Sequence, residues 1–184
     1  MKQELLLFPL NEVLFPQGEL PIRIFELRYR RLLDECGQTK PFGVVRIRYG
    51  AEVGEPAFPY NVGCSAFIMQ QVAMPDGSII AFVMGHKRFK ILTIHVEDDG
   101  LARAQIEWLK PEAVVPIPND LYEIAQAFTE CGDRLSDAGS LAWRLAEALP
   151  LSLDEQQQLL EEENPHRRLQ LVKKLSLKYP IDFI

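Results

Sequence analysis

Cysteine, histidine and long apolar runs are all scarce in this chain of 184 residues. The three cysteines, Cys36, Cys64 and Cys131, are odd in number and far apart. That is neither a disulfide framework nor a metal-ligand spacing, and it implies reduced, mostly buried thiols. The three histidines, His86, His95 and His166, do not fall at the close spacing of paired zinc ligands. Cys64 and His86 would be a thiolate–imidazole pair if a hairpin joined them. No third group is at hand to orient the imidazole, so a buried thiol and a strand-end histidine is the simpler reading. No G-x-x-x-x-G-K-[ST], G-x-G-x-x-G or G-x-S-x-G motif occurs, which argues against a phosphate cradle or a hydrolase elbow. No catalytic residue, metal or cofactor is expected.

No segment reaches the roughly 18 uninterrupted apolar residues of a membrane helix. The opening MKQELLLFPLNEVLF is broken by Glu4, Asn11 and Glu12 and lacks a small-residue cleavage site, so no signal peptide is expected and the cytoplasm is the default location. The apolar fraction of 47% and charged fraction of 25% are those of an ordinary globular protein. The net charge of −6 is uneven: residues 1–110 hold 13 basic and 13 acidic side chains, residues 111–184 hold 7 and 13. An acidic back half disfavours nucleic acid as the main partner, since phosphate binding needs clustered cations.

The chain changes character near Pro111. Before it, strand signals dominate: Gln3–Phe8, Leu20–Phe25, and Phe42–Tyr49, where Val45, Ile47 and Tyr49 alternate with Arg46 and Arg48. Cys64–Met74 and Ser78–Gly85 are apolar runs joined by Pro75-Asp76-Gly77, where an Asp-Gly pair would supply two positive-φ positions. Phe89–Val96 and Ala102–Leu109 flank Asp98-Asp99-Gly100, so residues 62–109 read as a meander of about four strands. Ile79, Ala81 and Val83 on one face, with Ile80, Phe82 and Met84 on the other, predict a sheet buried on both sides. That in turn predicts a closed barrel with an outer covering element. Glu26–Cys36 is the one helical interruption, with Gly37 at its C-terminal cap.

Pro111, Pro116 and Pro118 mark a connector, 111–118, between a β-rich part, 1–110, and a four-helix part, 119–184. Asn119 is expected to cap a helix reaching about Ala138, and Ser140 a second helix ending at Pro150. Ser152-Leu153-Asp154-Glu155 has the form of a capping box, and Asn164-Pro165 places a cap and a first-turn proline before the last helix.

One candidate surface is basic. Arg28, Arg30, Arg46, Arg48 and Arg88 are interleaved with aromatics, as in single-strand binders. Glu26, Asp34 and Glu35 share the first segment, however, and favour an ion-pair network pinning a helix to the barrel.

The opening LLLFPLNEVLFPQGELPIRIFELRYRRLL resembles the start of the Lon protease N-terminal substrate-binding domain. Phe42-Gly43-Val44-Val45, Val62-Gly63, Asp76-Gly77, Gly85-His86-Lys87-Arg88-Phe89-Lys90-Ile91 and Pro165-His166-Arg167-Arg168-Leu169 are similar to its later elements in the same order. The resemblance implies an α+β protein: an N-terminal PUA-like β pseudo-barrel with one short helix, then a C-terminal helical bundle. Full-length Lon proteases continue into ATPase and Ser-Lys peptidase modules; the closing Pro180-Ile181-Asp182-Phe183-Ile184 suggests a stand-alone relative without them. The resemblance implies a non-catalytic module binding unfolded or damaged polypeptide, as an adaptor or chaperone-like factor serving a protease or chaperone partner. An apolar groove between barrel and bundle is the expected site. RNA or nucleotide-base binding through the barrel, and a small-molecule pocket in its mouth, are the alternatives.

Overall fold

The structure, a computed structural model, describes residues 3–55, 57–133 and 135–179; the Pro180–Ile184 segment lies outside them. Two compact units are present, Met1–Leu109 and Lys110–Ile184. Among the described residues the first holds seven strands, β1 (Gln3–Leu10), β2 (Glu19–Ile24), β3 (Phe42–Tyr49), β4 (Phe58–Pro59), β5 (Val62–Ala73), β6 (Ile79–Val96) and β7 (Ala102–Trp108), and helix α1 (Leu27–Cys36). The sheet order β1–β7–β6–β5–β3 closes on itself, because β3 also pairs with β1, in parallel. Leu5, Leu7, Val45, Phe89, Ile91, Ala104 and Ile106 fill a buried cluster drawn from four of these strands. β2 adds to the first half of β6, and β4 to the end of β3.

Two sequence expectations change here. The meander over 62–109 has three strands, because β6 runs without a break through His86, Lys87 and Arg88. β5 pairs along it from Ile79 to Lys90 with two bulges on one side, while β2 pairs with its first part and β7 with its last on the other. The hairpin loops also use one positive-φ residue each, Gly77 at 82° and Gly100 at 83°. In the first loop Gly77 N donates to Met74 O at 2.9 Å and Met74 N to Ser78 O at 2.8 Å; Glu97, Gly100 and Leu101 repeat the pattern. These are three-residue loops closed by a glycine in the left-handed region, a bulged alternative to the two-residue turn.

Helix α1 lies between these two loops and is tied to both. Arg28 Nη1 donates to the Gly100 carbonyl at 3.3 Å, and Arg30 Nη2 to that of Gly77. Arg31 pairs with Asp99 at 2.9 Å, Glu97 at 2.5 Å and Glu35 at 2.7 Å, while Arg103 pairs with Glu97 and with Glu35 at 2.8 Å. Tyr29, Leu32, Leu33 and Cys36 form the buried side of the helix, and Gly37 closes it with φ of 54°.

The second unit holds α2 (Tyr122–Glu130), α3 (Ala138–Ala148), α4 (Leu153–Glu161) and α5 (Pro165–Lys178). Asn119 opens a single 3-10 turn without a side-chain cap, and α2 stops at Glu130, ahead of Gly132 with φ of 102°. Asp137, not Ser140, caps α3: its carboxylate accepts from Ser140 N at 2.9 Å while Ser140 Oγ accepts from Asp137 N at 3.0 Å. Ser152 with Glu155 forms the expected capping box of α4, and Asn164 caps α5 with Pro165 in its first turn. The residues expected as a connector are bonded into this unit. Val115 O accepts from Ala138 N at 2.8 Å, and Glu112 holds Arg168, which has no exposed surface and lies 3.6 Å from the Trp143 ring centroid.

Candidate polypeptide-binding face

The clearest candidate site is a three-stranded surface. Register sets Glu19, Met84 and Phe67 side by side, then Pro21, Phe82 and Gln70, then Arg23, Ile80 and Val72. Residues directly opposite in a sheet share a face. The opposite face, with Ile22, Ile24, Ile68, Ala81 and Val83, is buried. The face carrying Phe82 is not: Phe82 is 42% exposed and Val72 38%. The expectation of burial on both sides therefore fails, and Ile80, Phe82 and Met84 instead form the middle of an open apolar face. Met69, 53% exposed, stands at the β5 bulge beside it. His86 extends the face, edge-on to Phe67 at 5.4 Å. Glu19, Arg23 and Gln70 make a polar rim; Arg23 also bonds Asp76, whose carboxyl Ser78 and Arg23 hold down to about 2. A contiguous apolar face with a polar rim is the usual mark of an interaction site.

The five arginines singled out from sequence do not form one surface. Arg28 and Arg88 are buried. Arg28 pairs with Glu26 at 2.9 Å and stacks on Tyr29 at 4.7 Å, while Arg30 is engaged at the Gly77 loop. Arg46 and Arg48 do share a neighbour, lying 4.8 and 5.9 Å from the Tyr60 ring centroid, and Arg48 is 5.2 Å from that of Tyr49. Cys64 is buried with its thiol toward the Ser65 carbonyl, whereas His86 is exposed and lies against the Phe67 ring. A cleft of about 350 Å³ lies between Gln3–Leu6, Glu35, Cys36, Lys40, Pro41, Arg103 and Trp108. Its guanidinium is already shared among Glu4, Glu35 and Glu97, and burial pushes the Cys36 thiol up to about 11, so neither is poised for chemistry.

Pro21, Phe67 and Val72 were not singled out from sequence, and Phe82 was expected to be covered. A signal for Phe67 and Val72 exists, since residues 56–75 contain no Asp, Glu, Lys or Arg. Twenty residues without charge across two strands and a loop are hard to bury completely in a chain this size.

Comparison with known proteins agrees with this architecture. The family described as ATP-dependent protease La (LON) substrate-binding domain matches residues 4–176. The chain is similar to the Lon N-terminal domain protein from Xanthomonas campestris, with a TM-score of 0.79 at 33% identity over 97% of this chain and 99% of that one. It shares its fold with the N-terminal domain of the Mycobacterium avium complex Lon protease, with a TM-score of 0.68 at 17% identity over 99% of this chain and 100% of that one. The Lon protease of Anaeromyxobacter dehalogenans is 27% identical over 184 residues, 90% of this chain but 22% of that protein. The chain thus spans less than a quarter of the length of the curated relatives it matches. With its barrel, its helical unit and nearly its whole length matched, the chain belongs to the Lon substrate-binding domain family.

Proposed function

We propose that this chain is a non-catalytic module that holds exposed apolar segments of unfolded or damaged polypeptides on the β2–β6–β5 face, in the service of a protease or chaperone partner. The observation that carries this is Phe82, large, apolar and 42% exposed at the centre of a nine-residue face with apolar neighbours on both flanking strands. Each 100 Å² of apolar surface covered contributes roughly 2.5 kcal/mol before ordering costs, so a face of this kind gives micromolar binding. The buried thiols of Cys36 and Cys64 fit a reducing, cytoplasmic setting. On this reading the chain hydrolyses neither ATP nor casein by itself.

RNA binding through the PUA-like barrel is the second reading, supported by the Arg46–Arg48–Tyr60 cluster. The burial of Arg28 and Arg88 weakens it. Titration of a carboxymethylated, unfolded protein and of a single-stranded RNA at two salt concentrations separates the two. Apolar binding changes little with salt, whereas each phosphate contact makes RNA binding fall steeply. Tight, salt-sensitive RNA binding without polypeptide binding would reverse the ranking.

A further inference from the structure

We infer that the polypeptide docks as an added β-strand along the outer edge of β5, from Met69 to Ala73. This rests on the polypeptide-binding reading above and specifies its mode. β5 pairs with β3 only over Cys64–Ala66, and beyond that no strand among the described residues lies on its outer side. Met69, Gln70, Gln71, Val72 and Ala73 are all exposed. Opposed residues in an antiparallel ladder alternate between bonded and non-bonded pairs. Met74 N donates to Ser78 O, so Val72 and Gln70, two and four residues back, turn their backbone toward β6. Gln71 and Ala73 therefore direct their N–H and C=O groups outward. At the far end the Gln38 side-chain amide donates to the Met69 carbonyl at 3.4 Å, which marks that carbonyl as outward-facing too.

The two edges of the candidate face differ. β2 is guarded: Pro21 lacks an N–H, and Glu19 and Arg23 flank it with charge. The β5 edge has no proline and no charge between Ile68 and Ala73. A strand added there sets alternate side chains beside Val72 and Gln70, continuing the apolar rows of Ile80 and Phe82. Main-chain bonds take little account of sequence, which suits a receptor for varied unfolded segments.

A second copy of this chain is a poorer occupant. Five residues make an edge about 17 Å long at ~3.4 Å per residue, whereas stable dimers bury roughly 1,200–2,000 Å² or more. Two copies would each carry a net charge of −6 and repel. An uncharged, extended peptide matches the charge-free edge.

The test uses a labelled ten-residue peptide of alternating Val and Thr between terminal lysines, followed by fluorescence anisotropy. Two further peptides carry N-methyl groups at alternate positions, in the two possible registers. One N-methyl set is expected to lose about tenfold in affinity and the other to bind like the parent, because only one set of N–H groups faces β5. Gln71→Pro should lose about tenfold with little change in unfolding midpoint, since its N–H faces away from β6. If that variant does not fold, the N-methyl pair decides alone. Equal binding by all three peptides and by Gln71→Pro overturns the edge mode and leaves the apolar face standing. No binding of the parent peptide removes both. Concentration-dependent dimers lost in Gln71→Pro would assign the edge to a second copy and overturn the inference.

Discussion

Removing the Glu112 carboxylate should damage the helical unit more than removing the arginine it holds. Arg168 has no exposed surface, and its guanidinium is sandwiched between the Trp143 ring at 3.6 Å and the Glu112 carboxylate, with Nη1–Oε1 at 2.7 Å. Glu112→Ala removes the carboxylate bonded to that buried cation, which costs about 3–5 kcal/mol when one partner of such a pair is deleted. Glu112 keeps about a fifth of its side chain exposed, so water entering the vacated space brings the expected figure toward 3. Arg168→Met removes the charge as well as the bonds and leaves Glu112 able to reach solvent. Loss of the cation–π contact then dominates, at about 2 kcal/mol. A unit of about 75 residues holds on the order of 4–11 kcal/mol in total, so either change is easily measured. The assay is urea unfolding followed through tryptophan fluorescence in a Trp108→Phe background, which leaves Trp143 as the sole reporter. The midpoint should fall further for Glu112→Ala than for Arg168→Met. Equal losses, or a larger loss for Arg168→Met, would refute the buried-charge argument.

Acid should loosen the attachment of α1 first. Bonds from Arg103 and Arg31 hold the Glu35 and Glu97 carboxyls below their ordinary range; the Leu101 amide and Arg31 do the same for Asp99. A depressed folded-state value means this stabilisation is complete above the unfolded-state value of about 4 and is lost as pH falls through the folded one. Unfolding midpoints followed through Trp108 should hold steady from neutral pH to about 5 and drop below about 4; an unchanged midpoint at acid pH would contradict the network. Gly85→Ala should destabilise the barrel unit, because its new Cβ would overlap the Phe15 carbonyl oxygen, a backbone atom held in place by the Gln17–Gly85 and Gly85–Gly18 bonds. A loss of about 1–3 kcal/mol is expected from such overpacking, and a wild-type melting curve would contradict it.

Much of the fold was legible because local rules and tertiary packing agree. Phe42–Tyr49 shows its period-2 alternation and forms a strand with the same bounds, and Ser152–Glu155 and Asn164–Pro165 cap helices as their side chains allow. Failures came where distant pairing decided the outcome. The run His86-Lys87-Arg88 looks like a break, yet β5 pairs with Gly85 and Arg88 at its two ends and the Ser65 hydroxyl bonds both the amide and the carbonyl of Lys87 between them. Asn119 and Ser140 are good capping residues displaced by Pro118 and Asp137, and only geometry separates an N-cap from the third residue of a capping box. The site was the least legible part. Arginines draw the eye as binding residues, but Arg28 and Arg30 serve the hairpin loops. Two apolar faces on one hairpin suggested a covering layer, when one face is open in the structure.

The most direct test of the polypeptide-binding account is a backbone-amide footprint by NMR. The chain is titrated with a carboxymethylated, unfolded protein, alongside a Phe82→Asp variant matched for stability. Shift changes should centre on Ile22–Arg23, Phe67–Ala73 and Ile80–Met84, change little between low and moderate salt, and vanish in Phe82→Asp. A footprint on Arg46, Arg48 and Tyr60, or undiminished binding by Phe82→Asp, would contradict it.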